Sequence, residues 1–273
     1  MKNHLLHTNA LPIGYQDKRK NPTVVHSNLN LRLLPGEFTC LLGPNGTGKS
    51  TLIKTFAGFH QPLGGHIYLD NQNLRQIKEK ELARLVSVVL TDKTHVGNMT
   101  IFELVSMGRH PYTGFFGNLT HEDLRIIHQA IDSVGMLKME HRLVNELSDG
   151  ERQKAMIAKA LAQQTPIIIL DEPTAYLDLP SRIEIMQLLH SLSSELQKAI
   201  LLSTHDLEQA LRFADKIWLL GKNHQVQSGT PEDLILSDQF KKFFERKGIR
   251  FDNFSGTFKI TNPKTGEDYD LLT

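Results

Sequence analysis

The chain has 273 residues, of which 40% are hydrophobic and 22% are charged, an ordinary composition for a globular protein with one large domain or a core and a subdomain. Its 31 Lys and Arg residues nearly balance its 30 Asp and Glu residues, for a formal net charge of +1, so no overall positive field favours nucleic acid as a partner. The single cysteine, Cys40, excludes a disulfide framework and a CxxC zinc site.

No apolar run approaches the roughly 18 residues that span a bilayer, and the N-terminal residues lack the continuous apolar stretch of a signal peptide. We therefore expect any membrane role to come through a partner. Cys40 lies inside a short apolar run, so we expect it to be a buried structural thiol.

The predicted elements alternate, in chain order, between short apolar runs and helical patterns. Strands are predicted at residues 24–34, 38–42, 67–70, 86–90, 166–170, 199–204 and 216–220. Helices are predicted after residue 50, through much of residues 92–165, at 180–197 and from about residue 230. Short apolar strands that alternate with helices are typical of a parallel sheet buried on both faces.

The last residues predict a small hairpin. FKIT and YDLL are strand-like, and the turn-rich sequence NPKTGED separates them. We expect this extension, residues 241–273, to be a regulatory element, a contact between copies of the chain, or a cap on the sheet. The sequence does not choose among the three.

A glycine-rich segment, GPNGTGKS at residues 43–50, matches the phosphate-binding pattern G-x-x-x-x-G-K-[ST] and lies between an apolar strand and a helix, as the motif requires. Its glycines let backbone N–H groups surround phosphate oxygens, and the helix N-terminus adds its positive end. Lys49 is predicted to contact the β- and γ-phosphates, and Ser50 to bind Mg²⁺. The residues predicted to bind nucleotide are Gly43, Pro44, Asn45, Gly46, Thr47, Gly48, Lys49, Ser50 and Thr51.

A second segment, IIILDEPT at residues 167–174, contains two adjacent acidic residues and is predicted to complete this site. Asp171 follows a buried strand, and ligands bind at the carboxyl edge of an open parallel sheet. Its carboxylate is expected to hold Mg²⁺ directly or through water, and Glu172 to accept a proton from the attacking water. The alternative is that the two acids only cap the following turn.

Further motifs, in a fixed order, carry a family resemblance. LSDGERQKAMIAKAL at residues 147–161 resembles the signature motif of ABC ATPases, and Asp178 in AYLD resembles their D-loop. His205 in STHD resembles their switch histidine, and Tyr15 in IGY their adenine-stacking aromatic. The resemblance covers about residues 5–240, so the chain is identified as similar to ATP-binding subunits of ABC transporters.

This resemblance implies a P-loop NTPase core with a mostly parallel sheet, an antiparallel β subdomain and a helical subdomain inserted at about residues 92–165. The ATPase domain is expected to occupy residues 1–240.

The resemblance also implies a head-to-tail homodimer in which each ATP lies between the phosphate loop of one copy and the signature of the other. Ser148 and Gly150 would contact the γ-phosphate across the dimer, and the D-loop, with Asp178, would belong to the same nucleotide site. Tyr15 would stack on adenine, and His205 would hydrogen-bond the γ-phosphate.

Hydrolysis, with Glu172, His205 and Lys49 as catalytic residues, would open the dimer and move transmembrane permease subunits. A substrate-binding protein would be an indirect partner. The chain would lie on the cytoplasmic face of the cell membrane, held there by the permease.

One departure from the family pattern concerns the Gln that usually ends the strand read here as VVLT. Thr91 occupies this position. Its hydroxyl can bind Mg²⁺ or water, but the Thr side chain is shorter than that of Gln and reaches less far. The alternatives are that Asp92 substitutes for the Gln or that the loop shifts.

A second departure is that the signature reads LSDGE rather than LSGGQ. Ser148 and Glu151 form the S-x-x-E pattern of a capping box, and Asp149 favours the helix macrodipole. Both carboxylates would also oppose the incoming γ-phosphate. We hypothesise that the acids stabilise the helix while they weaken closure of the ATP-bound dimer.

The segment ELVSMGRHPYTGFFG at residues 103–117 is similar to the equivalent stretch of importer subunits for ferric siderophores, haem or cobalamin. In the family this region faces the permease, so Tyr112, Phe115 and Phe116 either contact the permease or pack the helical subdomain. The predicted function is ATP-powered uptake of an iron chelate, haem or cobalamin. The alternatives are an ABC protein of DNA repair or translation, or a regulator that no longer hydrolyses ATP.

Overall fold

The computed structural model describes residues 4–15, 22–90, 97–114, 117–245, 248–253, 255–261 and 268–269. The strands, in chain order, are β1 (Leu6–Asn9), β2 (Leu11–Tyr15), β3 (Thr23–Leu29), β4 (Arg32–Leu33), β5 (Phe38–Leu42), β6 (His66–Leu69), β7 (Gln72–Asn73), β8 (Val86–Val89), β9 (Ile167–Asp171), β10 (Ala199–Ser203), β11 (Lys216–Leu220), β12 (Val226–Gly229), β13 (Ile249–Asp252), β14 (Thr257–Thr261) and β15 (Asp268–Tyr269).

The α-helices are α1 (Lys49–Phe56), α2 (Glu79–Leu85), α3 (Ile101–Ser106), α4 (His121–Ser133), α5 (Asp149–Ala162), α6 (Leu179–Leu196), α7 (Leu207–Phe213), α8 (Pro231–Leu236) and α9 (Gln239–Phe244). Short 3-10 turns lie at Leu74–Gln76, Met107–Arg109, Leu137–Met139 and Val144–Glu146. Of the helices in the described ranges, none is long and apolar enough to cross a membrane.

The largest sheet in the described part of the chain has the strand order β12-β11-β5-β10-β9-β8. Neighbouring strands from β11 to β8 are parallel, whereas β12 pairs with β11 in the antiparallel direction. Every residue of β5, β9 and β10 is buried, as expected for strands that are covered on both faces. The predicted α/β fold with a mostly parallel sheet is confirmed.

The central strand β5 sends alternate side chains into two hydrophobic clusters, because successive residues of a strand point to opposite faces. Phe38, Cys40 and Leu42 join the cluster that includes residues of α3, α4, α5 and α6. Leu41 joins the cluster that includes α1 and the antiparallel strands near the N-terminus. The large sheet therefore separates the helical segment from the antiparallel β segment.

Antiparallel strands form the N-terminal layer, as one sheet of order β4-β1-β6-β7 and a separate β2-β3 pair. The prediction of a single strand over residues 24–34 is wrong, because β3 ends at Leu29 and β4 begins at Arg32. The Thr8 side chain occupies the break: its hydroxyl donates to the Leu29 carbonyl and accepts from the Leu31 amide, both at 2.8 Å. The chain thus leaves its pairing with β2 and joins β1 instead.

The helices α3, α4 and α5 lie between β8 and β9 and are joined by a buried arginine. Arg109 Nε donates to Asp123 Oδ1 at 2.8 Å, and its Nη1 donates to the Ala162 carbonyl at 2.8 Å. The Arg109 guanidinium carbon lies 4.1 Å from the centre of the Tyr112 ring, and the Tyr112 hydroxyl donates to the Gln163 carbonyl at 3.0 Å. Tyr112 therefore packs within the helical segment, a contact of Tyr112 with the permease stays a prediction, and Phe115 and Phe116 lie outside the described residues.

The C-terminal prediction of a two-stranded hairpin is incomplete, because β13, β14 and β15 form a three-stranded antiparallel sheet. The pairing of Ile260 with Tyr269 confirms that the two predicted strands are partners, while residues 262–267 and 270–273 of the predicted hairpin lie outside the described residues. The additional strand β13 pairs Phe251 with Phe258, and Phe251 is fully buried against Phe240, with ring centroids 5.2 Å apart. Tertiary packing of one aromatic side chain, rather than a local pattern, stabilises this strand.

Candidate functional site

The carboxyl ends of β5, β9 and β10 meet at one edge of the large sheet. The parallel register places Ser203 of β10 beside Leu41 of β5 and beside Asp171 of β9. The phosphate loop follows β5 and the acidic pair begins at the end of β9, so both predicted halves of the site come to the same edge. This is the edge at which parallel α/β sheets bind their ligands.

The phosphate loop folds around the Lys49 side chain. Lys49 is only 6% exposed, and its ammonium donates to the Gly43 carbonyl at 2.8 Å and to the Pro44 carbonyl at 3.4 Å. Burial lowers the pKa of Lys49, while the carboxylates of Glu172 and Asp171 act in the opposite direction. Its ammonium, held by two loop carbonyls and lying near these two carboxylates, is a buried cation suited to bind an anion that enters the loop.

Asp171 and Ser50 place oxygen atoms side by side below the loop. The Ser50 hydroxyl donates to Asp171 Oδ1 at 3.4 Å, and the Ser203 hydroxyl donates to the same atom at 2.6 Å. A hydroxyl and a carboxylate are ligands that Mg²⁺ prefers. The two residues predicted to bind Mg²⁺ and described by the structure are thus brought together, while Thr91 and Asp92 lie outside the described residues.

Glu172 and His205, two of the predicted catalytic residues, are in direct contact. His205 Nε2 lies 2.5 Å from Glu172 Oε1, and both side chains are partly exposed to solvent. The Glu172 amide donates to the Ser203 hydroxyl at 2.9 Å, which fixes the backbone from which the carboxylate projects. Glu172 has a φ of +48°, a left-handed conformation that is costly for a non-glycine residue and is found mainly where the surroundings enforce it.

Tyr15 lies at the end of β2 with 54% of its surface exposed. The Thr51 hydroxyl of α1 donates to the Tyr15 hydroxyl at 2.6 Å, which fixes the ring beside the first turn of the helix that follows the phosphate loop. An exposed aromatic ring held in this way offers a surface on which a base can stack.

Ser148, Gly150 and Asp178 form a second group, at the starts of α5 and α6. The predicted capping box is confirmed: the Ser148 hydroxyl accepts from the Glu151 amide, and Glu151 accepts from the Ser148 amide at 2.8 Å. The Ser148 hydrogen bonds lower the pKa of Glu151. Asp178 caps α6 by accepting from the Ser181 amide at 3.1 Å, and a Cβ on Gly150 would lie 3.2 Å from the Ser181 hydroxyl. The signature and the D-loop are therefore packed against each other.

A cavity of about 800 Å³ lies beside the phosphate loop and His205. Part of its lining comes from the C-terminal extension: Phe244, Ile249 and Phe258. This contact was missed by the sequence prediction, because no motif links the extension to the loop. A second missed contact is the one between the His26 ring and the Thr47 carbonyl.

Together, the phosphate loop, the Ser50–Asp171 pair and the Glu172–His205 pair define a P-loop nucleoside-triphosphatase. The model of the ABC transporter family matches residues 26–175, more than half of the chain, and the chain belongs to this family. It is an ATP-binding cassette with ATPase activity.

Relatives support this assignment over nearly the whole chain. An uncharacterised ABC transporter ATP-binding protein of Methanocaldococcus jannaschii is 42% identical over 94% of this chain and 87% of its own length. The iron(3+)-hydroxamate import ATP-binding protein FhuC of Bacillus subtilis is 38% identical over 88% of this chain and 87% of its own length. A dimeric ATP-binding cassette solved in a post-hydrolysis state with ADP and Pi has a TM-score of 0.70 at 28% identity, covering 83% of this chain and 98% of that one.

We expect Gly43→Ala to weaken MgADP binding more than tenfold, because an added Cβ would lie 2.2 Å from the Leu220 carbonyl oxygen and 2.9 Å from the Thr47 hydroxyl. The carbonyl belongs to β11 and cannot move without disturbing the sheet, so the loop itself must shift. Isothermal titration calorimetry measures the effect. Gly114→Ala is the matched control, because a Cβ there meets nothing within 4 Å; equal affinities for the two variants would contradict the prediction.

Proposed function

We propose that the chain is the ATP-hydrolysing subunit of an importer whose cargo is an iron chelate, haem or cobalamin. The observation that carries the enzymatic part is the meeting of Lys49, Asp171 and Glu172 at one edge of the sheet. Import rather than export rests on its relatives, among them the hydroxamate importer subunit of Bacillus subtilis and a ferric enterobactin transport subunit of Escherichia coli. These relatives give no support to a role in DNA repair or translation.

Two copies of the chain are proposed to pair head to tail, with one nucleotide between the phosphate loop of each copy and the signature of the other. The exposed Ser148 and Asp149 at the start of α5 make this end accessible to a second copy. Ser148 and the Gly150 amide would contact the γ-phosphate of the partner's nucleotide. The dimeric state of the similar cassette supports this arrangement.

Within each site, Glu172 accepts the proton of the attacking water, because its carboxylate projects from the end of β9 beside the phosphate loop. His205, which contacts Glu172, orients that carboxylate and hydrogen-bonds the γ-phosphate. Lys49 stabilises the negative charge that develops on the phosphate oxygens. Ser50 and Asp171 would hold Mg²⁺, which would neutralise phosphate charge.

The proposal also includes the domain bounds, the location of the chain and its partners. The ATPase domain comprises residues 1–240, with the helical subdomain at about residues 92–165, and residues 241–273 form a small extension. The chain lies on the cytoplasmic face of the cell membrane, bound to transmembrane permease subunits that receive cargo from a substrate-binding protein. Nucleic acid is not a partner.

The test is transport by the chain reconstituted with its native permease in proteoliposomes, with the substrate-binding protein present. ATP-dependent uptake of radiolabelled ferric hydroxamate, haem or cobalamin supports the proposal and identifies the cargo. Hydrolysis without uptake of any of the three overturns the cargo assignment, and no hydrolysis in the complete complex overturns the role as a motor.

Asp149→Asn is expected to tighten the ATP-bound dimer severalfold, because it removes a carboxylate from the helix end that receives the partner's γ-phosphate. Dimerisation is measured by analytical ultracentrifugation in the presence of ATP, with hydrolysis arrested by Glu172→Gln in both proteins. Asp132→Asn, an exposed change on α4, is the control for net charge. A dimer no tighter than that of the control would refute the idea that the signature acids weaken closure.

A further inference from the structure

A buried histidine of the β2-β3 pair touches the phosphate loop from behind. His26, in β3, is 1% exposed, and its Nε2 lies 2.8 Å from the Thr47 carbonyl oxygen. The neighbouring Val25 packs against the same part of the loop, since a Cβ on Gly48 would lie 2.6 Å from Val25 Cγ1. Two adjacent residues of β3 therefore support the Thr47–Gly48 peptide.

The carbonyl acceptor fixes the tautomer of this histidine. A carbonyl oxygen only accepts, so Nε2 carries the hydrogen and the neutral ring has a bare lone pair on Nδ1. Nδ1 is buried and has no hydrogen-bond partner within the described part of the chain, so no group seen there stabilises a second proton. Burial, and to a smaller extent the nearby His224, lower the pKa of His26, while its hydrogen bond to Thr47 acts in the opposite direction. The ring is thus a neutral donor to the loop.

The geometry of a trans peptide connects this contact to phosphate binding. In a planar trans peptide the C=O and the N–H point in opposite directions, and the Thr47 carbonyl shares its peptide with the Gly48 amide. With the carbonyl held toward His26 of β3, the Gly48 N–H points the other way, away from β3. Gly48 has a φ of +92°, a backbone conformation that glycine adopts readily and most other residues avoid.

We propose that His26 is a positioning residue for nucleotide binding: by donating to the Thr47 carbonyl, it aims the Gly48 amide at a phosphate of the bound nucleotide. The proposal rests on the nucleotide-binding role of the phosphate loop. Because the amide contact exists in both the bound ground state and the transition state, loss of the donor weakens binding without slowing the chemical step.

The experiment compares His26→Leu, which keeps an apolar side chain but has no donor, with His26→Gln, whose amide offers an N–H at a similar reach. Affinity for MgADP is measured by calorimetry, and kcat and KM for MgATP in steady state. The expected result for His26→Leu is a Kd and a KM raised about tenfold, since a buried carbonyl loses its donor, with kcat within about twofold of wild type. His26→Gln is expected to recover most of the affinity.

The control is His224→Leu, because the His224 ring lies 6.1 Å from the His26 ring but is exposed and does not touch the loop carbonyl. Wild-type MgADP affinity in a folded His26→Leu protein overturns the positioning role, and so does equal weakening in His26→Gln and His26→Leu. If His26→Leu does not fold, the Gln variant decides: wild-type affinity supports the proposal, and a tenfold loss overturns it. Failure of the wild-type chain to bind MgADP would instead overturn the nucleotide role of the loop.

Discussion

Glu172→Gln is expected to lower kcat for MgATP hydrolysis by at least about a hundredfold, the size of effect that a positioned general base supplies. The substitution keeps the shape of the side chain but removes the carboxylate that accepts the proton of water. Affinity for MgATP is expected to stay within a few-fold of wild type, because the phosphate contacts of the loop are untouched. Phosphate release in steady state and nucleotide binding by calorimetry measure the two quantities.

The matched control is Glu208→Gln, which makes the same chemical change at an exposed position of α7 and is expected to hydrolyse ATP like wild type. If Glu172→Gln keeps more than a tenth of wild-type turnover, Glu172 is not the base. If neither the wild type nor the variant turns over alone, the comparison must be repeated with the permease present.

Arg109→Ala is expected to destabilise the protein by about 3–5 kcal/mol, the cost of removing one partner from a buried ion pair. Arg109 is 4% exposed and Asp123 is 6% exposed. The hydrogen bonds from Thr120 and the contact with Arg109 hold the pKa of Asp123 at about 2. This depressed pKa stabilises the fold fully above about pH 4, and the stabilisation is lost as the pH falls toward 2. Urea denaturation followed by circular dichroism at neutral pH measures the loss.

Arg125→Ala provides the comparison, on α4, the helix that also contains Asp123. Its partner is Glu122, and both side chains are more than half exposed, so the expected cost is below about 1 kcal/mol. If the two variants lose similar free energies of unfolding, burial of the Arg109–Asp123 pair does not determine how much the pair stabilises the fold.

Much of the site could be predicted from the sequence because its parts are local. The segment from Phe38 to Phe56 contains a buried strand, a glycine-rich loop and a helix within nineteen residues, and each part has its own pattern. The Ser148–Glu151 capping box is equally local, since its partners are three residues apart. Predictions of this kind depend on residues that are close together in the chain, and the structure confirms the strand, the helix and the capping box.

The features that the sequence could not provide depend on contacts between distant segments. The break between β3 and β4 depends on the Thr8 side chain of another strand, and β13 depends on the packing of Phe251 with Phe240. The contact between His26 and Thr47 spans 21 residues. A lone histidine or threonine has no local pattern that reports such a partner, so only the folded chain reveals it.

Cys40 gives the molecule a practical property. Its thiol is fully buried in β5 and burial raises its pKa, so alkylating reagents, which react with the thiolate, will leave it unmodified. The natural sequence is therefore already a background for single-site labelling. A cysteine introduced at Ile249, which is 42% exposed and lines the cavity beside the phosphate loop, will carry a fluorophore or spin label alone. Such a label is placed to test whether nucleotide binding changes the surroundings of this cavity, without removal of the native thiol.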